Sequence, residues 1–261
     1  VRVATFNILH GRSLSDDRVD LDRFAGAVAR LDADVLALQE VDRGQERSFG
    51  ADLTTIAAEA MGAPHHRFVA TLSGEPGLWV AASGDEQPDG AAYGIALLSR
   101  WPVREWRVLT LPALSRRTPV VFPGRRWPVL VRDEPRSAVA AVVETPDGPL
   151  TAVCTHLTFV PGWHVRQLLR LVADTARMPG PHLVMGDLNM AGATPARVSG
   201  LRPLVTAPTY PLVEPVRQLD HVLAGGPVHA VTPGESLDLG LSDHRALAVE
   251  VALAGSGATA L

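Results

Sequence analysis

The segment Leu183-Val184-Met185-Gly186-Asp187-Leu188-Asn189 sets a carboxylate and a carboxamide two positions apart at the end of an apolar run. In an extended chain, side chains at i and i+2 point the same way. Asp187 and Asn189 are then expected to lean out together from the end of a buried strand. An acid beside an amide suits removal of a proton from a nucleophile while the neighbour holds an oxyanion. The same spacing also suits an Asx turn after a strand, so the choice depends on what else reaches that place.

Other polar residues fall at comparable positions. Asn7, Glu40 and His156 each sit at or just past the C-terminal end of an apolar stretch: Val1 to Phe6, Val35 to Leu38 and Leu150 to Thr155. Asp220 and the pair Asp243-His244 precede two late stretches, His221 to Ala224 and Arg245 to Leu253. If those two strands run antiparallel to the others, all these residues land on one rim. Singly, each has an ordinary explanation: a solvated Glu40, a half-buried His156, an Asp220-His221 ion pair, a helix cap at Ser242-Asp243. Jointly they describe a site. Carboxylates without thiolates suit a hard, oxygen-preferring ion such as Mg²⁺ or Mn²⁺.

The elements that must hold this rim can be read from periodicity. Leu21, Phe24, Val28 and Leu31 mark one helix, and Leu53, Ile56, Ala57 and Ala60 a second that stops at Gly62 and Pro64. A third runs from about Trp163 to Arg177 with Val165, Leu168, Leu169 and Val172 inward. The stretch from His65 to Leu111 reads mostly as strands broken by Gly/Pro turns. Pro146-Asp147-Gly148-Pro149 predicts a hairpin. Residues 112–136 read as a long irregular loop carrying Arg116, Arg117, Arg125, Arg126 and Arg132 around Trp127, closed by Arg136; guanidiniums beside an aromatic suit a phosphorylated substrate. Strands mixed with helices and a hairpin argue for a mixed α/β sandwich.

With 261 residues, 46% of them hydrophobic, and no second compositional regime, the chain reads as one domain over residues 1–253 and a loose tail over 254–261. Acids outnumber bases 28 to 24, and every base is arginine. A net charge of −4 disfavours a duplex nucleic-acid substrate, which calls for a basic face. No run approaches the ~18 apolar residues of a membrane span. One cysteine, Cys154, excludes an intrachain disulfide. A monomer in the cytoplasm is expected, although the chain begins at Val1 without a methionine, which leaves secretion open.

Taken in order, Thr5-Phe6-Asn7, Ala37-Leu38-Gln39-Glu40, Tyr93-Gly94-Ile95-Ala96-Leu97-Leu98-Ser99-Arg100, Cys154-Thr155-His156-Leu157, Met185-Gly186-Asp187-Leu188-Asn189, Leu219-Asp220-His221 and Ser242-Asp243-His244 resemble the endonuclease/exonuclease/phosphatase superfamily. The resemblance implies a DNase I-like α/β fold: a four-layer αββα sandwich of two mixed β-sheets flanked by helices. It implies a hydrolase that cleaves phosphodiester bonds with Mg²⁺ or Mn²⁺. Glu40 would be the principal metal carboxylate, with Asn7 and Asp243 close to the ion. Asp187 would position or deprotonate the attacking water, and Asn189 would hold a phosphate oxygen. His156 and His244 would flank the phosphate, Asp220 would orient His244, and Arg136 would face the phosphate. Leu9 and Ile95 depart from the family pattern, at positions where relatives carry a further carboxylate and an asparagine. The substrate is expected to be small or lipid-derived. A phosphomonoesterase, a phospholipid-headgroup phosphodiesterase, a DNase-like endonuclease and a catalytically silent binding module remain the alternatives.

Overall fold

The structure, a computed structural model, describes residues 1–82, 84, 86–114, 117–120, 126–131 and 133–253. The expected tail at 254–261 and the loop residues Arg116, Arg125 and Arg132 lie outside the described residues. In chain order the elements are β1 (Arg2–Asn7), α1 (Leu21–Leu31), β2 (Val35–Arg43), α2 (Leu53–Met61), β3 (His65–Ser73), β4 (Val80–Ala81), β5 (Ala92–Ser99) and β6 (Val103–Thr110). There follow β7 (Thr118–Val120), β8 (Val129–Val131), β9 (Ser137–Thr145), β10 (Gly148–His156), α3 (Trp163–Thr175), β11 (His182–Asp187), α4 (Thr194–Ser199) and β12 (Arg202–Pro203). The chain closes with β13 (Asp220–Gly225), β14 (Val228–Ala230), β15 (Glu235–Leu237) and β16 (Ala246–Leu253).

Two mixed sheets form. The first runs β14-β16-β1-β2-β5-β3-β4 with β15 beside β16, and the second runs β12-β13-β11-β10-β9-β6. Each has a parallel pair at its centre, β1 with β2 and β10 with β11, flanked by antiparallel neighbours. Strand alternation sorts the side chains into three apolar layers. Ala4, Phe6, Leu36 and Leu38 pack against Phe24, Val28, Leu53 and Ala57 of α1 and α2. Val3, Val35 and Ala37 face Val139, Ala152, Cys154 and Met185 of the second sheet. Ala140, Val153 and Val184 turn outward onto Leu168 and Leu171 of α3. The result is the αββα sandwich expected from the sequence.

Sequence chemistry also sets the helix ends. Asp20 caps α1 by accepting from the Arg23 amide, and Asp52 caps α2 by accepting from the Thr54 and Thr55 amides, each worth about 1 kcal/mol. In α3 the inward residues include Gln167 and Leu171, whereas Leu169 is 46% exposed, which corrects its expected inward position. Gln167 earns its burial by bonding: its Oε1 accepts from the Thr158 amide and its Nε2 donates to the Pro112 carbonyl, both at 2.9 Å.

Two further expectations change. Residues 112–136 are not wholly irregular, since β7 and β8 pair antiparallel within them. β2 does not stop at Glu40 but continues to Arg43.

The strand directions settle the rim. Because β13 and β16 run antiparallel to β11 and β1, the C-terminal ends of β1, β2, β10 and β11 share an edge with the N-terminal ends of β13 and β16.

Candidate active site

Asn7 ends β1 on the face between the sheets and is 1% exposed. Its Nδ2 donates to Glu40 Oε1 at 3.0 Å and to Asp187 Oδ2 at 3.2 Å. One amide thus links a strand of each sheet.

Glu40 reaches this place through a β-bulge. Gln39 pairs with Ile95 and Val41 with Gly94, leaving Glu40 without a ladder partner and with φ at 58°. Strict alternation would send Glu40 toward the helices with Leu36 and Leu38; the extra residue re-aims it to the rim. A left-handed non-glycine residue costs about 1–2 kcal/mol, which the surrounding ladder holds in place.

Gly186 solves a neighbouring problem. It has φ of 146°, and a Cβ there would lie 1.9 Å from the Thr155 carbonyl oxygen. Only glycine lets β11 approach β10 this closely beside Asp187.

Past Asp187 the chain is not extended, which corrects the simple i, i+2 picture. Asn189 is left-handed, with φ of 52°. Its backbone N–H donates to Asp187 Oδ1 at 2.9 Å. Its Nδ2 donates to the Leu157 carbonyl at 2.9 Å and faces His156 Nε2 at 3.3 Å. The turn chemistry and the site are therefore the same feature.

Asp187 is the hub. Its Oδ2 lies 3.5 Å from His156 Nε2 and 3.9 Å from His244 Nε2. His244 Nδ1 bonds Asp220 Oδ2 at 2.8 Å, an arrangement that fixes the ring's orientation. Ser242, bonded to the Asn7 carbonyl at 2.6 Å, also accepts from the His244 amide at 3.1 Å. His221, next in sequence to Asp220, turns to the opposite face and meets the Met190 carbonyl at 2.9 Å. It is not part of the site.

Burial and charge set the protonation. Burial pushes the Asp187 carboxyl up, to about 7, helped by the Asp220 charge and opposed chiefly by His244. Burial pulls on His244 in the opposite sense, but the charge and hydrogen bond of Asp220, with Asp187 and Asp243, outweigh it and raise the imidazole to about 10. His156 is held well below the ordinary histidine range by burial and by the charges of Arg136 and His244. The site thus pairs a neutral His156 with a cationic His244 around one carboxylate.

These residues line a cleft of about 510 Å³. Arg136, 5% exposed, lines it with Glu134 at 3.4 Å, and its Nε has no partner among the described residues. Asp243 lines it beside Glu40. Of the residues the resemblance assigns to the site, all except Asn7 and Asp220 line the cleft, and those two bond to residues that do; Arg117, Arg126 and Trp127 of the arginine-rich loop do not line it. Tyr93, Phe159, Tyr210 and Arg217 also line it and were not anticipated. Tyr93 stands in a segment already singled out, whereas Tyr210 and Arg217 belong to a loop with no periodic pattern.

The donor set fits a hard divalent cation. Glu40 is raised above the usual carboxylate range, first by burial and then by the Asp243 charge, with the Asn7 hydrogen bond opposing. Glu40 and Asp243 both line the cleft, and carboxylate oxygens are the donors that Mg²⁺ or Mn²⁺ prefers. Asp187, Asp220 and His244 also bring one ligand atom each within 4.8 Å of one another. In that group His244 Nδ1 is already bonded to Asp220, which leaves Nε2 as its free ring atom.

Known proteins share this architecture. An endonuclease/exonuclease/phosphatase from Beutenbergia cavernae superposes with a TM-score of 0.70 at 23% identity, covering 99% of this chain and 73% of its own. A mannosyl-6-phosphatase from Bacteroides thetaiotaomicron gives 0.65 at 14% identity, covering 97% and 100%. A humanized TDP2 from D. rerio gives 0.58 at 15% identity, covering 96% and 98%. No curated protein matches the sequence. The sequence pattern of the endonuclease/exonuclease/phosphatase family matches residues 4–244. With that match spanning nearly the whole chain and the DNase I-like sandwich beneath it, the protein belongs to the endonuclease/exonuclease/phosphatase family.

Proposed function

We propose that the protein is a divalent-cation-dependent phosphodiesterase that hydrolyses a small phosphorylated substrate by in-line attack of water. The observation that carries this reading is the buried Asp187 carboxylate, held by Asn7 and faced by His156 and His244. A phosphodiester is anionic and repels hydroxide, so its oxygens must be neutralised and a nucleophile generated near neutral pH.

Glu40, with Asn7 and Asp243, would hold Mg²⁺ or Mn²⁺, which when bound polarises the phosphoryl oxygen as a Lewis acid. Asp187, with a carboxyl near 7, is matched to accept a proton from water at neutral pH. His244, kept cationic by Asp220, places positive charge where the phosphorane oxygens become more negative. Arg136 adds a guanidinium fork suited to phosphate. Asn189 and neutral His156 fix the Asp187 corner.

A small substrate suits the cleft better than a duplex, because Arg136 and Arg217 are the arginines that line it, among four acids. The likeness to a mannosyl-6-phosphatase motivates testing a monoester beside the diester. Hydrolysis of bis-p-nitrophenyl phosphate and p-nitrophenyl phosphate is measured with Mn²⁺, with Mg²⁺ and with EDTA. Diester cleavage that needs the metal is the expected result. Preference for the monoester would make the protein a phosphatase, and no metal-dependent cleavage of either would favour a binding role.

A further inference from the structure

A second cavity of about 540 Å³ lies beside the catalytic cleft, and Glu134 lines both. Leu72, Trp79, Val80, Leu114 and Pro135 give it apolar walls. The Trp79 ring stands 5.8 Å from that of Tyr93, which lines the catalytic cleft, so an aromatic wall runs from one space into the other.

Its described lining carries two acids, Asp133 and Glu134, and no bases. Glu134 is paired with Arg136 at 3.4 Å. Asp133 is 7% exposed; its Oδ1 accepts from Thr158 Oγ1 at 2.6 Å, while its Oδ2 has no partner among the described residues. Arg47 lies over the Trp79 and Tyr93 rings at 5.8 and 5.5 Å, but Asp42 already matches it through two hydrogen bonds. Among the described residues, what is left is an apolar space with an aromatic face and one buried carboxylate oxygen without a partner. A buried charge is tolerated when an opposite charge accompanies it, and an aromatic face attracts cations.

Resting on the phosphodiesterase reading, we propose that this cavity receives the second alcohol of the substrate, and that this alcohol carries an apolar chain ending in an amine. The ester would lie against Asp187, His156 and Arg136, the chain along Tyr93 and Trp79, and the ammonium near Asp133. The amine compensates the Asp133 charge through the field of the cavity even without touching Oδ2.

The test uses 4-nitrophenyl phosphodiesters whose second alcohol is methanol, an n-alkanol, or an ω-amino-alkanol of the same heavy-atom count. With Mn²⁺, kcat/KM for the amine ester is expected to exceed that of the matched alkyl ester by about tenfold, the factor one partly desolvated cation contact gives. Asp133→Asn should erase that ratio and leave the methyl ester unchanged. Trp79→Ala should lower both long-chain esters relative to the methyl ester. Equal rates for amine and alkyl esters, or a ratio that survives Asp133→Asn, would overturn the assignment. A second measurement is independent of turnover: a free n-alkylamine should shift the Trp79 indole resonance, more than the matching n-alkanol does and less in Asp133→Asn. No such difference would overturn the cavity assignment, whereas absent hydrolysis with amine binding intact would count against the phosphodiesterase reading alone.

Discussion

Asp187 and Asp220 sit directly opposite each other in the antiparallel ladder of β11 and β13, both almost fully buried. Like charges at such a rung repel. His244 lies between them, bonded to Asp220 at 2.8 Å and facing Asp187 at 3.9 Å. One imidazolium therefore serves two carboxylates, and each partner's protonation depends on the others.

Asp187→Asn is expected to lower kcat by about 10²–10⁴-fold, the usual range for loss of a general base. Stability should hold or rise, because the substitution removes a buried charge opposite Asp220. Turnover and the urea midpoint measure the two effects; wild-type turnover would remove Asp187 from the role of base.

In metal-free protein, NMR titration should find the His244 ring protonated until the pH approaches about 10. Its folded value is raised, so its stabilising contribution is complete below the unfolded value near 6.5 and is lost as pH rises through about 10. In Asp220→Asn, burial is opposed by less negative charge, and the titration should move to lower pH. An unmoved titration would refute the part given to Asp220.

EDTA should abolish hydrolysis, and Mg²⁺ or Mn²⁺ should restore it. Glu40→Gln should raise the Mn²⁺ concentration for half activity by about tenfold or more, since losing even a group that only supports a metal ligand costs about that much. Mn²⁺ binding followed by electron paramagnetic resonance should weaken in parallel. Full activity in chelator, or unaltered Mn²⁺ affinity in the variant, counts against the assignment.

Gly186→Ala forces a methyl group against a backbone oxygen that has no side-chain freedom to yield. A loss of about 2–3 kcal/mol is expected from overpacking and backbone strain together, with reduced turnover because Asp187 is the next residue. Denaturant unfolding that matched the wild type would show that the close approach is not obligatory.

Much of this site was legible because strand ends are readable. Asn7, His156 and Asp187 end apolar runs, and Asp220 and His244 precede them, so alternation and strand direction bring them together. The position of Glu40 was readable but its orientation was not: a bulge depends on how β2 pairs with β5, which no single segment encodes. The outward turn of Leu169 and the burial of Gln167 were hidden for a similar reason, since they depend on the loops that Gln167 bonds. Helix α4 and strands β12, β14 and β15 are too short to leave a periodic signal. Tyr210 and Arg217 join the cleft through an irregular loop whose path follows from tertiary pairing, including the return bond from the Arg217 amide to the Tyr210 carbonyl.

Because the Asn7 amide reaches from Glu40 in one sheet to Asp187 in the other, the reaction centre acts as a gauge of the distance between the sheets. The inner apolar layer fixes that distance. A swelling of the layer around Val139 or Met185, too slight to unfold either sheet, would stretch the Asn7–Asp187 hydrogen bond first. Loss of activity would then precede loss of structure on heating, with each half of the sandwich still intact when the gauge fails.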